Sequence, residues 1–250
     1  MTATETKLMA HTVAGYPDME TSFVAARALV RGGADYMEVQ FPFSDPSSDG
    51  PTIERACQVA LDGGFRVEDG FALMKRLRKE VDIPLFIMTY GSLVFARGAE
   101  DFCDRTVAAG LQGLIIPDLP PDYSEGLFEA GKKRGLAIVP VIAPEISPAR
   151  LQAIGDLKPE YIYTALRLGI TGSRTQLDDK TIRYLDRVKA LGAKVVAGFG
   201  VRTREQMLAL AGHADAAAVG SFFLERLNAM PAGGDVEGTL GAAVRELKGT

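Results

Sequence analysis

Two cysteines in 250 residues are too few for a disulfide framework, and two histidines exclude any multi-histidine metal centre. Cys57 and Cys103 are therefore expected to be buried packing thiols in a reducing cytoplasm. No compact Cys/His/carboxylate cluster has ligand spacing, so no metal is expected. No apolar run is long enough to span a bilayer, and the opening MTATETK lacks the basic and apolar regions of a signal peptide. There is no Lys/Arg run, and a net charge of −4 gives no long-range attraction for nucleic acid or an anionic membrane. What remains is a small polar or amphipathic substrate.

What is present is the balance of an ordinary soluble protein, 47% hydrophobic and 24% charged, arranged in strict alternation. Short apolar runs predict strands at Leu8–Val13, Asp35–Val39, Leu85–Thr89, Gly113–Ile116, Ala137–Val141, Tyr161–Thr164, Lys194–Ala197 and Ala216–Val219. Between them, apolar spacings of three and four predict helices at Thr21–Arg31, Val67–Glu80, Glu100–Ala109, Ser124–Lys133, Pro148–Leu157, Lys180–Leu191, Glu205–Leu210 and Glu237–Lys248. Such alternation, without linker or low-complexity segment, indicates a parallel sheet. Eight units close a barrel, and nothing marks the edge or switch point of an open doubly wound sheet. The expected fold is α/β, one (β/α)8 TIM barrel over residues 1–250, with an extra helix at Thr52–Gly63 and a short one in FFLERL after the last strand.

In such a barrel the segments after the strands gather on one rim, where active sites form. After the seventh strand comes Gly198-Phe199-Gly200, and after the eighth Gly220-Ser221 at a helix start. These two loops are the fold's usual phosphate site, with backbone N–H groups facing a dianion; alone, GFG is equally a tight turn. Leu166–Asp179 is long, polar and glycine-containing, and reads as a lid over the mouth or as a plain surface loop.

The stretch Asp35–Thr52, DYMEVQFPFSDPSSDGPT, carries Glu38 at a strand end into a turn-rich loop holding Asp45 and Asp49. Burial in an apolar mouth would raise the pKa of Glu38 and let it exchange protons near neutral pH. Asp49, beside Gly50, would stay wetter and ionised. Spacing leaves both open, Glu38 to a strand-end salt bridge and Asp49 to an ordinary turn. Asp45 and Asp118 read as loop-shaping turn residues. Tyr90, Tyr163, Phe199 and Met88 would line a pocket for a flat ring, or are core.

At this point the residues carry a family likeness. Pro42–Ile53, PFSDPSSDGPTI, closely resembles the PFSDP-x-x-DGPTI signature of the tryptophan synthase alpha chain family. MTY (Met88–Tyr90), PDLP (Pro117–Pro120), LGITG (Leu168–Gly172), AGFGV (Ala197–Val201) and VGS (Val219–Ser221) follow in the family's order and spacing. The resemblance implies a lyase that splits indole-3-glycerol phosphate by retro-aldol cleavage into indole and glyceraldehyde 3-phosphate, with no cofactor of its own. By position, Glu38 matches the glutamate that shuttles protons between the glycerol hydroxyl and the indole ring carbon. Asp49 matches the aspartate that binds the indole N–H and stabilises the cationic tautomer. Gly172 and the backbone at Gly198, Gly200, Gly220 and Ser221 match phosphate ligands. Thr171 matches the lid residue that closes on the aspartate loop, and Tyr163 the tyrosine near Glu38.

The resemblance also implies a pyridoxal-phosphate (PLP) beta chain as partner, in an αββα heterotetramer, contacted through Phe41–Pro51 and Leu166–Asp179; PLP belongs to that partner. Six residues at four places depart from the pattern. Gln40 stands where the family usually has glycine, Gly91-Ser92 replaces a common Tyr-Asn, Leu166-Arg167 replaces small polar residues, and His11 lies near where a pocket aromatic is often found. Two other readings follow, an alpha-like subunit with weakened chemistry that mainly regulates a beta chain, and a different phosphate-handling barrel enzyme.

Overall fold

The computed structural model describes residues 5–166, 177–198 and 200–250. The first two strands, β1 (Lys7–Val13) and β2 (Tyr36–Gln40), are joined by helix α1 (Met19–Arg31). After the turn-rich loop, α2 (Pro51–Asp62) and α3 (Val67–Arg78) precede β3 (Leu85–Met88). A short α4 (Gly91–Phe95) and α5 (Ala99–Ala108) lead to β4 (Gly113–Ile115), and α6 (Leu127–Lys133) leads to β5 (Ala137–Val139) and β6 (Val141–Ile142). The chain continues through α7 (Pro148–Asp156), β7 (Tyr161–Ala165), α8 (Asp179–Lys189), β8 (Lys194–Gly198) and α9 (Arg204–Ala209). It ends with β9 (Ala216–Val219), α10 (Ser221–Asn228) and α11 (Val236–Lys248).

All strand pairs are parallel, in the order β5-β4-β3-β2-β1-β9-β8-β7-β6. The two terminal members are halves of one stave. β5 pairs with β4 and β6 with β7, so the fifth stave bridges both edges and the ring is an eight-staved (β/α)8 barrel. The expected strand Ala137–Val141 is divided at Pro140, which has no N–H for the ladder but still accepts from the Tyr163 N–H.

Helix starts follow local chemistry. Asp18, Asp178 and Asp235 each accept a backbone N–H three residues on, at 2.8, 2.8 and 2.9 Å, and Thr203 with Gln206 forms a reciprocal capping box at α9. Each such cap contributes about 1 kcal/mol. α6 begins at Leu127 rather than Ser124, because Pro121–Tyr123 forms a 3-10 turn and Gly126 takes the left-handed region at φ 83°.

Strand parity sorts the side chains. Leu8, Ala10, Met37, Val39, Leu85 and Ile87 join the main core between strands and helices. Their alternates Met9, Tyr36, Phe86 and Met88 join a second cluster inside the barrel with Ile115, Val139, Tyr161 and Val196. Since successive residues face opposite sides of a strand, Glu38 and Gln40 share the inner side with Tyr36, and His11 shares it with Met9. β1 and β2 align His11 with Glu38.

Candidate active site

Parity settles where the Glu38 carboxyl points: into the barrel, at its mouth. It lines a cavity with His11, Asp49, Tyr163, Gly200 and the Gly220–Phe222 segment, closed by apolar Ile53, Met88, Ile115 and Val141. The space is about 640 Å³, its open mouth included.

Glu38 is buried at 2% exposure. Its Oε1 lies 3.1 Å from His11 Nδ1, while its Oε2 has no hydrogen-bond partner. Asp49, expected to stay wet, is buried as well. It is 6% exposed because its loop folds inward, placing it against Gln40 and Tyr90. Burial pushes the Asp49 carboxyl above its ordinary range, opposed by hydrogen bonds from Gln40 and Tyr90 and by the nearby His11.

The two supports of Asp49 meet on one oxygen. Gln40 Nε2 donates to Oδ2 at 2.7 Å, and the Tyr90 hydroxyl donates to the same atom at 2.9 Å. Tyr90 also accepts from the Ser48 N–H at 3.1 Å and stacks on Phe43, ring centres 5.3 Å apart. Its role is thus to hold the acidic loop. Gln40 was legible only as an oddity of the pattern; the structure makes it a clamp on Asp49, with Cys57 Sγ 3.3 Å behind it.

Tyr163 lines the cavity, and its hydroxyl is driven well above the ordinary tyrosine value by burial and by the charges of Glu38 and Asp49. Its ring lies on the backbone of Gly198, where any Cβ would collide with the hydroxyl. At the other end, Gly220 caps α10. The first N–H groups of a helix lack intrahelical partners, and Ser221 and Phe222, which begin α10, both line the cavity. That is a fitting cradle for a dianion. A Cβ on Gly220 would stand 2.8 Å from His11 Cδ2, so the imidazole edge packs directly on the cradle.

Thr171, Gly172 and Phe199 lie outside the described residues, as does most of the lid segment. Asp118 accepts the Gly91 N–H at 2.9 Å and fixes the start of α4, as a structural residue should. Asp45 is exposed, and its backbone carbonyl, rather than its carboxyl, accepts the Ser47 N–H. Arg202 was missed. It lines the cavity while held to Glu225 on α10, and the only sequence signal for it is its place just after the GFG turn.

Among the described residues, no three His, Cys, Asp or Glu side chains converge as a metal site. Both cysteines are free and buried, and desolvation pushes Cys57 to about 12 and Cys103 to about 11. Neither thiol is expected to take up iodoacetamide at neutral pH in the folded chain, which mass spectrometry checks; full labelling would contradict their burial.

The family model described as "Tryptophan synthase alpha chain" matches residues 1–246. A tryptophan synthase alpha chain of Methanosarcina acetivorans is 41% identical over 246 residues, covering 98% of this chain and 88% of that one. Among solved structures, Mycobacterium tuberculosis tryptophan synthase superposes with a TM-score of 0.89 at 35% identity, covering 98% of this chain and 92% of that one. A chain of the tryptophan synthase complex from Pyrococcus furiosus superposes at 0.87 with 28% identity, covering 98% and 99%.

Proposed function

Because this chain belongs to the tryptophan synthase alpha chain family, we propose that its cavity binds indole-3-glycerol phosphate and that Glu38 and Asp49 divide the cleavage between them. The chain is a carbon–carbon lyase of tryptophan biosynthesis. It performs the retro-aldol cleavage that yields indole and glyceraldehyde 3-phosphate.

The observation that carries the residue roles is the pairing of two buried carboxylates, in unlike surroundings, with a helix-start cradle across one apolar cavity. The phosphate sits at Gly220–Ser221 and Gly200, with Gly198 behind Tyr163 and with Gly172 as a further backbone donor. The indole lies against the apolar wall. Asp49, its Oδ2 already held by Gln40 and Tyr90, accepts the indole N–H and offsets the charge of the cationic tautomer. Glu38 gives a proton to the ring carbon, forming that cation, and takes the glycerol hydroxyl proton as the carbon–carbon bond breaks. Proton transfer by side chains suffices for this chemistry, and the alpha chain family works without a cofactor. Tyr90 acts through Asp49, whose carboxyl it holds, while Thr171 and Phe199 keep the substrate-binding roles that the family pattern gives their positions.

Alpha chains of this family act with a beta chain. Here the finer reading is an αββα heterotetramer, joined through Phe41–Pro51 and Leu166–Asp179, with PLP held only by the beta chain. The chain works as one barrel domain, in the cytoplasmic setting that two free thiols suit.

Gln40→Gly, which restores the residue usual in the family, removes a donor from a buried carboxylate. A hydrogen bond to a charged group corresponds to a loss of about 10-fold or more in kcat/KM, measured by indole release; unchanged turnover would mean that the clamp is idle. The function itself is tested by incubating the purified chain with indole-3-glycerol phosphate, with and without a beta chain. Indole in either arm supports the lyase. No indole in both, with altered serine turnover by the partner, supports a purely regulatory subunit instead.

A further inference from the structure

The proposed cleavage leaves the buried, ionisable His11 without a role. His11 is 5% exposed, and its Nδ1 is 3.1 Å from Glu38 Oε1. Its other nitrogen, Nε2, is buried and has no partner, and neither has the neighbouring Glu38 Oε2. Buried polar atoms are nearly always hydrogen-bonded, and leaving one unmade costs about 1–3 kcal/mol. Two orphaned atoms on one bonded pair, in the lining of one cavity, call for a ligand with polar groups of its own. The ring's position says which part of the ligand. One edge of the imidazole meets the carboxylate, and the other packs on Gly220 of the phosphate cradle. Between a proton-accepting carboxylate and a phosphate site lie the hydroxyl-bearing carbons of a glycerol phosphate.

We propose that His11 is a third functional side chain of the cleavage reaction, fixing the Glu38 carboxylate through Nδ1 and contacting the glycerol hydroxyls of the substrate through Nε2. The proposal rests on the lyase reading given above. The first role is positioning. A hydrogen bond to one oxygen sets the rotamer of Glu38 and leaves Oε2 as the atom that meets the substrate proton. The second is direct contact, and it changes with the charge of the ring. The ionisable groups facing His11 are Glu38 on β2 and Asp49 in the loop that follows, with Tyr163 on β7 and Arg202 after β8 across the cavity. Burial opposes the imidazolium, but the two carboxylates outweigh it and hold the ring proton above the ordinary histidine value of 6.5. The sign is that of a raised base: the imidazolium persists through 6.5 and is lost as pH rises through the folded-state value.

Three variants separate the roles. His11→Phe keeps a flat ring and loses both contacts, so kcat/KM for indole release falls by about 10- to 100-fold. His11→Asn keeps an N–H near the Nδ1 position and loses the reach of Nε2, so KM rises by about 10-fold with kcat nearly retained. His11→Gln does the reverse and loses kcat. The wild-type pH profile carries an ionisation above 6.5 that His11→Phe and His11→Asn lack.

A binding readout accompanies the kinetics. The chain has two histidines, and the other, His213, is half-buried and paired with Asp186 at 2.6 Å, so a nitrogen-15 histidine spectrum holds two rings. Glyceraldehyde 3-phosphate at saturation should move the Nε2 signal of His11 and leave His213 in place. Wild-type turnover and pH profile in His11→Phe, or an Nε2 signal that ignores the ligand, would overturn the role of His11 while leaving the lyase reading intact. A wild-type chain that releases no indole either alone or with a beta chain would overturn the lyase reading, and the role of His11 with it.

Discussion

Glu38→Gln reduces indole release from indole-3-glycerol phosphate by about 10²–10⁴-fold, the usual contribution of a positioned proton-transfer group, and leaves the barrel folded. The neutral amide fits the space of the carboxylate, and its carbonyl still accepts from His11 Nδ1, so no cavity opens and no new orphan is made on the histidine. What is lost is the atom proposed to take the proton. A second effect comes with it. Without the Glu38 charge, burial outweighs the remaining attraction of Asp49, and the His11 ring titrates lower than in the wild type. Circular dichroism and a thermal scan check the fold, and the histidine spectrum checks the ring. Wild-type turnover in a folded Glu38→Gln chain would remove Glu38 from the mechanism.

Asp49→Asn is expected to separate activity from stability. The amide carbonyl still accepts from Gln40 and Tyr90, but an NH2 replaces the oxygen that would face the indole N–H, the charge proposed to offset the cationic tautomer is gone, and kcat falls by about 10²–10³-fold, as when one preorganised stabilising group is removed. The same change relieves a buried charge. Asp49 titrates above its ordinary value of 3.8 in the folded chain, with desolvation as the leading cause, so ionising it at neutral pH costs the native state. The cost builds as pH rises from the ordinary carboxyl value through the folded-state one, and is absent below both. Asp49→Asn therefore melts at or above the wild-type temperature at neutral pH, by about 2–4 °C for each kcal/mol relieved in a chain of this size, and the difference closes on acidification. A variant that melts lower at every pH would show the carboxylate to be a net stabiliser.

The fold was readable because a barrel repeats one simple pattern. Seven of the eight expected strands are found within a residue or so of their places, and the eighth is divided by Pro140, a residue already visible in the sequence. α4 was not foreseen, since five residues after Tyr90 carry too little periodicity to register. Site chemistry was legible where it depends on position along a strand. Gly220-Ser221 sits at a helix start as its neighbours in sequence suggest, and Glu38, expected at a strand end, lies in the middle of β2 on its inward-facing side. It was illegible where it depends on burial and cross-strand pairing. Asp49 looked like a wet turn residue, and only the inward fold of its loop onto Gln40 and Tyr90 makes it a buried acid. Gln40 is nine residues from Asp49 and His11 twenty-seven from Glu38. Both stood out in the sequence as departures from a pattern, and in the fold each supports one carboxylate.

The central claim is that one cavity, with its own two carboxylates, cleaves the carbon–carbon bond of indole-3-glycerol phosphate. Its most direct test is a time course of both products from the purified wild-type chain, run beside Glu38→Gln. Indole and glyceraldehyde 3-phosphate appearing in equal molar amounts, and neither appearing at a comparable rate in the variant, is the predicted result. Equal rates in both chains, or loss of substrate without paired products, would contradict it.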